Sequence, residues 1–343
     1  MENTKEKVLV IAEVGVNHNG DIELAKRIVD SVANTDVDII KFQTVVPELL
    51  MVESTPKAEY QKQSTGESQS AFEMIRALQF SNDEFIELKS YVESKGKEFL
   101  STAFDLGSLD FLHDLGLSLY KIPSGEITNL PYIRKIAQIA EDIILSTGMS
   151  LIEEVQAAID AIVETGFPKS RITVLQCNTA YPTPLSDTNL RAMVTLGATL
   201  GVKFGFSDHT EGIAASSAAV ALGATVIEKH VTIDKSLPGP DQHASMEPEE
   251  FALLMTTIRE IEQVLGSANK TVTDSERLNI PIARRGLYAS RDISPGEALT
   301  LDNVIALRPE AEISPMQIDE VLQKHSRQGF QKHQPISFSL ISE

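Results

Sequence analysis

The sequence predicts a (β/α)8 (TIM) barrel followed by a small C-terminal domain, and three observations lead to this fold class. Short, nearly continuous apolar segments alternate with segments of helical periodicity, which is typical of a parallel sheet covered by helices on both faces. Eight such strand–helix units fit into residues 1–266, as a closed barrel of this kind requires. No Gly-x-Gly-x-x-Gly motif follows the first strand, which argues against an open dinucleotide-binding sheet.

The predicted strands are short, and each ends in polar or small residues. They span residues 8–16, 38–44, 98–102, 119–122, 142–145, 172–177, 204–209 and 226–230. The predicted helices span residues 21–33, 82–95, 107–115, 130–140, 150–165, 189–200, 212–223 and 248–265, and Asp21 is a suitable N-cap for the first of them. Because active sites of such barrels lie at the C-terminal ends of the strands, the polar residues there are candidate site residues.

Two segments interrupt the regular alternation of strands and helices. Residues 45–80, between the second strand and its helix, are far longer than an ordinary βα loop. We expect residues 61–68 to be a mobile polar stretch, residues 71–78 to form a short helix, and the insertion to be a lid or specificity element rather than an idle surface loop. After the eighth strand, the Pro- and Gly-containing segment 236–243 predicts a rigid turn that brings Asp241 and His243 to the barrel mouth.

After Gly266 the chain changes character. Residues 267–282 are polar and predict a linker. Residues 283–343 predict a second domain, because about 60 residues are too few for another barrel. We expect short strands there, a tight turn at residues 293–296, a helix over 315–324 and a strand near Pro335.

The composition excludes several classes of protein. With 42% hydrophobic and 23% charged residues, the chain can bury a large core and is not disordered. Its net charge of −19 argues against nucleic acid or an anionic membrane as a partner, and its first residues resemble neither a signal peptide nor a membrane span. The single cysteine, Cys177, cannot form an intrachain disulfide, so we expect a cytoplasmic location.

Two histidines lie at the ends of consecutive strands, His209 at the seventh and His230 at the eighth. Since residues two apart share a face of a strand, Ser207 lies on the face of His209, and Glu228 lies on that of His230. The two imidazoles can therefore converge as ligands of a metal ion at the catalytic face. The alternative is that each histidine is a hydrogen-bonded structural residue.

Charged residues also lie within apolar strands. Lys41 and Lys121 would be costly to bury without an anion as partner, and Gln43 shares the face of Lys41. Glu13 lies in the middle of the first strand, where a carboxylate is expensive for a core and useful as a general base. Because side chains alternate between the two faces of a strand, Asn17 is expected on the same face as Glu13.

Eight motifs make the sequence similar to the sialic acid synthase family, the phosphoenolpyruvate-condensing enzymes that make nonulosonic acids. They are AEVGVNHNG (12–20), KFQT (41–44), KIPSGE (121–126), STGM (146–149), YPTP (181–184), SDHT (207–210), EKH (228–230) and GPD (239–241). The C-terminal part resembles the antifreeze-like (SAF) domain of these enzymes. Within the family, residues 56–62 and 122–131 look most like the N,N′-diacetyllegionaminate synthases, and Thr179 stands where neuraminate synthases have Asn.

This resemblance implies that phosphoenolpyruvate condenses with an N-acetylated amino sugar, 2,4-diacetamido-2,4,6-trideoxymannose in this branch, and that phosphate is released. It implies Glu13, Lys41 and Lys121 as catalytic residues, and His209 and His230 as ligands of Mn²⁺ or Mg²⁺. The substrate-binding residues that it implies are Gln43, Ser124, Glu126, Ser146, Thr179, Tyr181, Ser207, Asp241 and Arg308. It also implies a domain-swapped homodimer, in which Arg308 reaches the barrel of a second subunit.

One tract departs from the family's pattern, and other functions stay open. Glu310-Ala311-Glu312 follow Arg308-Pro309 where the family usually has glycines, and Lys332-His333 stands where Lys-Gly is usual. N-acetylneuraminate or pseudaminate synthase is the alternative within the family. A Schiff-base aldolase using Lys41 or Lys121 is a different mechanistic class. A surface-binding SAF-like module on an inert barrel is the non-enzymatic alternative.

Overall fold

The computed structural model describes residues 7–66 and 68–342 of the chain, which divides into two compact units, Met1–Gly266 and Ser267–Glu343. In the first unit, eight parallel strands form a nearly closed barrel with β3 and β4 as its end strands, in the order β3-β2-β1-β8-β7-β6-β5-β4. They are β1 (Leu9–Gly15), β2 (Ile39–Thr44), β3 (Glu98–Ala103), β4 (Leu119–Ile122), β5 (Asp142–Ser146), β6 (Ile172–Cys177), β7 (Lys203–Asp208) and β8 (Val226–His230). The predicted TIM barrel is confirmed.

The helices of the first unit cover the barrel. They are α1 (Ile22–Ala33), α2 (Pro47–Leu50), α3 (Glu59–Thr65), α4 (Ala71–Ala77), α5 (Asn82–Ser94), α6 (Leu106–Asp114), α7 (Leu130–Ile139), α8 (Ile152–Val163), α9 (Leu190–Leu200), α10 (Ala214–Ala221) and α11 (Pro248–Val264). Asp21 caps α1 as predicted, since its side chain accepts hydrogen bonds from the amides of Glu23 and Leu24. No helix in the described residues is long and apolar enough to cross a membrane.

Strand β1 departs from regular pairing near its C-terminal end. Gly15 has a φ of +55°, and the register between β1 and β2 shifts between Glu13 and Gly15. A Cβ atom on Gly15 would lie 3.1 Å from both Gln43 Nε2 and Glu13 Oε1, so glycine suits this close approach. Beyond the bulge, Asn17 Nδ2 donates to the Val231 carbonyl oxygen at 2.9 Å. The predicted common face of Glu13 and Asn17 is therefore wrong, because the bulge breaks the period of two.

A buried ion pair lies on the outer side of β7 and β8, next to helix α10. Lys229 Nζ lies 3.0 Å from Asp208 Oδ2, and both side chains are fully buried. Asp208 also accepts hydrogen bonds from the Thr210 amide at 2.8 Å and from Ser216 Oγ at 2.6 Å. Because both charges are compensated, the pair can be tolerated in the core, and it anchors the turn that carries His209.

The insertion between β2 and α5 contains α2, α3 and α4. Helix α4 confirms the short helix predicted there, and Ser70 caps it. Helix α3 shows that residues 61–65 of the polar stretch predicted over 61–68 are helical, residue 67 lies outside the described residues, and the mobility of the stretch stays a prediction. Gln61 Oε1 accepts a hydrogen bond from the Ala58 amide at 3.0 Å, and Lys57 Nζ donates to Thr65 Oγ1 at 2.9 Å. These contacts hold both ends of the helix.

The second unit has its own small core and short elements. They are α12 (Asp274–Arg277), α13 (Ile280–Ala283), β9 (Gly286–Ala289), β10 (Val304–Leu307), α14 (Ile318–Val321), β11 (His325–Ser326) and β12 (Ile341–Ser342), with β9–β10 and β11–β12 antiparallel. The helix predicted over 315–324 is shorter, because Leu322 is extended and Gln323 has a φ of +69°. Pro335 forms only an isolated bridge with Tyr288 rather than the predicted strand.

Candidate active site

The C-terminal ends of the barrel strands surround a cavity of 370 Å³, here called the central cavity. Most of the site residues predicted in the barrel line it: Glu13, Lys41, Gln43, Lys121, Ser124, Ser146, Thr179, Tyr181, Ser207, His209 and His230. The cavity lies where barrel enzymes place their active sites.

Two lysines and two carboxylates form one buried network in the central cavity. Glu13 Oε2 lies 2.7 Å from Lys41 Nζ, and the second oxygen of Glu13 accepts a hydrogen bond from Gln43 Nε2 at 2.9 Å. Glu228 bridges the two lysines, with one oxygen 3.5 Å from Lys41 Nζ and the other 3.4 Å from Lys121 Nζ. All four charged side chains are at most 5% exposed. The network therefore keeps two lysine side chains charged in the cavity, because each lies near a carboxylate, and both can bind an anionic ligand.

Burial and pairing shift the pKa values of these four groups in different directions. Burial raises the pKa of Glu13 even though Lys41 opposes it, so this carboxyl can take up a proton more readily than a solvated one. Burial lowers the pKa of Lys121 despite the attraction of Glu228. For Lys41, burial lowers the pKa, but Glu13 and Glu228 outweigh it and raise the pKa overall. The pKa of Glu228 is lowered because Lys121 and Lys41 outweigh its burial.

The imidazoles of His209 and His230 face each other at the ends of β7 and β8. Their ring centroids are 5.3 Å apart, with an angle of 62° between the planes. His209 Nδ1 lies 2.6 Å from the Asn178 carbonyl oxygen, which can only accept, so Nδ1 carries a proton and Nε2 is the nitrogen available to a metal ion. Burial lowers the pKa of His209, but Cys177 and the Asn178 carbonyl outweigh it and raise the pKa overall. His230 Nδ1 is buried and has no hydrogen-bond partner among the described residues. Burial holds the pKa of His230 well below its usual value, so this imidazole is neutral.

This pair fits an open metal site rather than a closed structural one. Within residues 7–66 and 68–342, no group of three or more His, Cys, Asp or Glu side chains is placed to hold a metal ion. Two imidazoles, His230 neutral and His209 fixed by a backbone carbonyl, are suitable ligands for a divalent ion whose other positions are filled by water or substrate.

Aromatic side chains form the wall of the cavity next to the histidines. Tyr181 stacks on His209 with a centroid distance of 4.0 Å and contacts His230 edge-on at 5.5 Å. Tyr60, from helix α3 of the insertion, stacks on the other side of Tyr181 at 5.0 Å. The insertion thus contributes directly to the wall of the cavity.

Hydroxyl groups also line the cavity. Ser207 Oγ donates to Glu228 Oε1 at 2.9 Å, and Ser124 Oγ accepts a hydrogen bond from the Gly148 amide at 3.0 Å. Ser146 Oγ is buried without a hydrogen-bond partner in the described part of the chain. A buried hydroxyl without a partner is rare in folded proteins and is expected where a ligand binds.

Three predicted site residues lie outside the lining of the central cavity. Glu126 accepts a hydrogen bond from Asn129 Nδ2 at 2.6 Å, at the start of α7. Asp241 lines a neighbouring pocket together with Tyr60 and Tyr181. Arg308 is exposed in the second unit and directly follows β10.

Sequence reasoning did not select several residues that the structure places in the cavity, and two of them contact the predicted site residues directly. Glu228 is the carboxylate that joins the two lysines, although its alternation with His230 was a usable signal. Cys177 lies with its sulfur 3.8 Å from His209 Nδ1, and no sequence pattern points to that contact.

Replacing Asp241 with asparagine is expected to raise the free energy of unfolding at neutral pH. Burial raises the pKa of Asp241 to about 6 from its ordinary 3.8, so the folded chain binds the proton more tightly than the unfolded chain does. Stability is therefore lost as the pH rises from about 4 through about 6, and an amide avoids this loss. We expect a gain of about 1–3 kcal/mol at pH 7.5.

Urea unfolding of the metal-free protein at pH 4.5 and pH 7.5 measures this effect. The gain in the free energy of unfolding from Asp241→Asn should be clearly smaller at pH 4.5, because ionisation of Asp241 has destabilised the wild-type protein less at that pH. An equal gain at both pH values would show that the effect does not come from ionisation.

Comparison with known proteins identifies close relatives. The NeuB family profile matches residues 28–270, and that of the SAF domain matches residues 284–342. The chain is 43% identical over 331 residues to an N,N′-diacetyllegionaminic acid synthase from Campylobacter jejuni, covering 96% of this chain and 99% of the relative. It is also 43% identical over 316 residues to the N,N′-diacetyllegionaminic acid synthase of Legionella pneumophila, covering 91% and 88%.

A solved structure agrees with these sequence matches. The crystal structure of an N-acetylneuraminic acid (sialic acid) synthetase from Leptospira borgpetersenii, in complex with citrate, superimposes with a TM-score of 0.69 at 33% identity. The match covers 80% of this chain and 90% of that chain. The resemblance to the sialic acid synthases is thereby confirmed, and the chain belongs to the NeuB family, with a SAF domain at its C-terminal end.

Proposed function

We propose that this protein condenses phosphoenolpyruvate with 2,4-diacetamido-2,4,6-trideoxymannose and water to give N,N′-diacetyllegionaminate and phosphate. The observation that carries the proposal is the convergence of two buried lysines and two histidines in one cavity at the catalytic face of the barrel. Identity of 43% to two legionaminic acid synthases, against 33% to the sialic acid synthetase, supports the legionaminate branch.

Phosphoenolpyruvate carries a carboxylate and a phosphate, and the central cavity offers matching donors. Lys41 and Lys121 supply the positive charge. Ser146 Oγ, buried without a partner in the described residues, and Ser124 Oγ supply neutral hydrogen bonds. Anion binding would also relieve the crowding of two cations around the single Glu228 carboxylate.

The reaction joins carbon 3 of phosphoenolpyruvate to the aldehyde carbon of the open-chain sugar, and the former aldehyde oxygen takes up a proton. Water adds to carbon 2 and loses a proton, and the tetrahedral intermediate then expels phosphate. Glu13 is the residue that we assign to proton transfer, since burial raises its pKa and its carboxylate lies beside Lys41 in the cavity. Gln43 and Tyr181 line the cavity where the sugar would bind, and Gln43 also orients Glu13.

His209 and His230 would hold a divalent metal ion, Mn²⁺ or Mg²⁺, which supplies Lewis-acid polarisation of the sugar aldehyde when bound. The fit rests on two features of the pair. The Asn178 carbonyl fixes the His209 tautomer, and burial keeps His230 neutral. Tyr181, stacked on His209, limits the orientations that this ring can adopt.

We place the reaction in the cytoplasm, with no nucleic acid or membrane as partner. The net charge of −19 disfavours anionic surfaces, and the one cysteine, Cys177, is a free buried thiol.

We further propose that the active enzyme is a domain-swapped homodimer in which Arg308 acts on the barrel of the partner subunit. The acidic residues beside Arg308 are engaged elsewhere. Glu310 lies 3.7 Å from Arg284, and Glu312 accepts a hydrogen bond from Ser337 Oγ at 2.5 Å. Arg308 is exposed and makes no ion pair among the described residues, so its guanidinium is available to an anionic ligand.

A Schiff-base aldolase acting through Lys121 is the second candidate function. The observation that favours it is the lowered pKa of Lys121, which burial causes and which favours the nucleophilic amine. Borohydride treatment in the presence of substrate decides between the two functions. A covalent adduct on Lys121, together with activity that chelators do not affect, would replace the synthase proposal.

A panel of acceptor sugars tests the proposed function through phosphate release from phosphoenolpyruvate. The panel contains 2,4-diacetamido-2,4,6-trideoxymannose, its altrose counterpart and N-acetylmannosamine. We expect the first sugar to have a kcat/KM about a hundredfold or more above the others, because a site built to hydrogen-bond an extra acetamido group rejects the hydroxyl analogue. Equal kcat/KM for N-acetylmannosamine would contradict the assignment to the legionaminate branch.

A further inference from the structure

A second cavity of 230 Å³, here called the side pocket, lies between the insertion and the barrel mouth. Leu50, Ile75 and Leu78 of the insertion, followed by Phe80 and Phe85, form its apolar wall. The pocket is thus built largely from the segment that interrupts the regular strand–helix period of the barrel.

The side pocket and the central cavity share a wall. Gln43, Tyr60, Phe104 and Tyr181 line both. Gln43 and Tyr181 also contact the reacting groups, through Glu13 and His209 respectively. A ligand that reacts in the central cavity can therefore extend one substituent past these side chains into the side pocket.

One buried acid distinguishes the side pocket from a purely apolar cleft. Asp241 is 7% exposed and lines the pocket, and its carboxylate accepts no hydrogen bond from any residue that the structure describes. A ligand that fills the pocket and excludes its water must therefore supply a hydrogen-bond donor to this carboxylate. The pocket therefore suits a group that combines an N–H donor with an apolar end.

An acetamido group has this combination of an N–H and a methyl group. A lone methyl group would leave Asp241 without a donor, and a hydroxymethyl group would leave the apolar wall unfilled. In the diacetamido sugar, the acetamido group on carbon 2 is next to the reacting carbon 1 and belongs in the central cavity. The group on carbon 4 lies two carbons further along the chain, towards the shared wall.

We propose that the side pocket binds the acetamido group on carbon 4 of the acceptor sugar, with its N–H donating to Asp241 and its methyl group against Ile75 and Leu78. The inference rests on the proposed synthase function and deepens it. The side pocket makes the choice between a carbon-4 acetamido and a carbon-4 hydroxyl group, and the insertion is the specificity element of this chain.

The test compares three acceptor sugars, whose substituents distinguish an effect of the group on carbon 4 from an effect of the group on carbon 6. They are 2,4-diacetamido-2,4,6-trideoxymannose, 2-acetamido-2,6-dideoxymannose with a hydroxyl group on carbon 4, and N-acetylmannosamine. Ile75→Trp fills part of the pocket. We expect it to lower kcat/KM for the diacetamido sugar by about a hundredfold, while the two sugars with a carbon-4 hydroxyl group change by about threefold or less.

A second variant removes the hydrogen-bond acceptor in the side pocket instead of filling the pocket. Asp241→Leu leaves the acetamido N–H without a partner, so we expect kcat/KM to fall about tenfold more for the diacetamido sugar than for 2-acetamido-2,6-dideoxymannose. Leu49→Trp is the matched control for Ile75→Trp, since Leu49 lies in the same insertion, is 62% exposed and does not line the pocket. Thermal unfolding checks that each variant is folded.

Each outcome is decisive. Equal losses for all three sugars in both variants would overturn the inference and show a general effect on the site. Losses shared by the two 6-deoxy sugars and absent for N-acetylmannosamine would assign the pocket to the carbon-6 methyl group instead. Absence of phosphate release by the wild-type enzyme with every acceptor would refute the proposed function itself, which is a different result from a loss confined to the variants.

Discussion

His209→Ala and His230→Ala are each expected to abolish phosphate release, lowering kcat/KM by at least about a thousandfold, while the barrel stays folded. The two imidazoles lie at the C-terminal ends of β7 and β8. The Asn178 carbonyl fixes the tautomer of His209, and burial keeps His230 neutral, which suits metal binding. Removing either ligand leaves one imidazole, which is too few protein ligands to retain the ion. Phosphate release, metal content by mass spectrometry and circular dichroism measure the three parts of this prediction.

His113→Ala is the matched control, because His113 is exposed on α6 and does not line the cavity. A chelator should inactivate the wild-type enzyme, and Mn²⁺ or Mg²⁺ should restore it. Because protonated imidazoles cannot bind metal and the pKa of His209 is raised above its ordinary 6.5, activity should already fall as the pH drops towards 6.5, with His209 taking up a proton before His230. Full activity after prolonged dialysis against excess chelator would refute the metal role.

The barrel strands could be predicted because their signal is local. Apolar segments bounded by polar residues placed every strand of the barrel to within two residues at either end. Strand alternation was also sufficient to bring His209 and His230 together with Ser207 and Glu228, since both strands are regular where these residues lie.

The features that could not be predicted depend on contacts between distant elements. The bulge at Gly15 arises from the register between β1 and β2, which strand periodicity does not reveal. The polar sequence of helix α3 suggested a loop. The helix is held by contacts with other segments, from Lys57 and through the stacking of Tyr60 on Tyr181, which the local sequence does not reveal. Strand alternation places Glu228 at the site, but its contacts with Lys41 and Lys121 on two other strands appear only in the structure.

A mixture of two inactive variants, Glu13→Ala and Arg308→Ala, is expected to regain activity after subunit exchange. Each variant alone should release no phosphate, since the first lacks the group assigned to proton transfer and the second lacks the arginine assigned to the partner's site. Arg327→Ala, which changes another exposed arginine of the second unit, should keep full activity as a control. Phosphate release before and after exchange is the measurement.

The amount of recovered activity discriminates between the two arrangements. If Arg308 acts across the interface, each heterodimer contains one intact site and one doubly damaged site. Half of the dimers in a random equal mixture are heterodimers, so the mixture should reach about a quarter of the wild-type activity. If Arg308 serves the barrel of its own chain, every site in the mixture carries one lesion and no activity returns. Such a result, with exchange verified by differently tagged subunits, would leave Glu13 and Arg308 in one subunit's site and refute the swapped dimer.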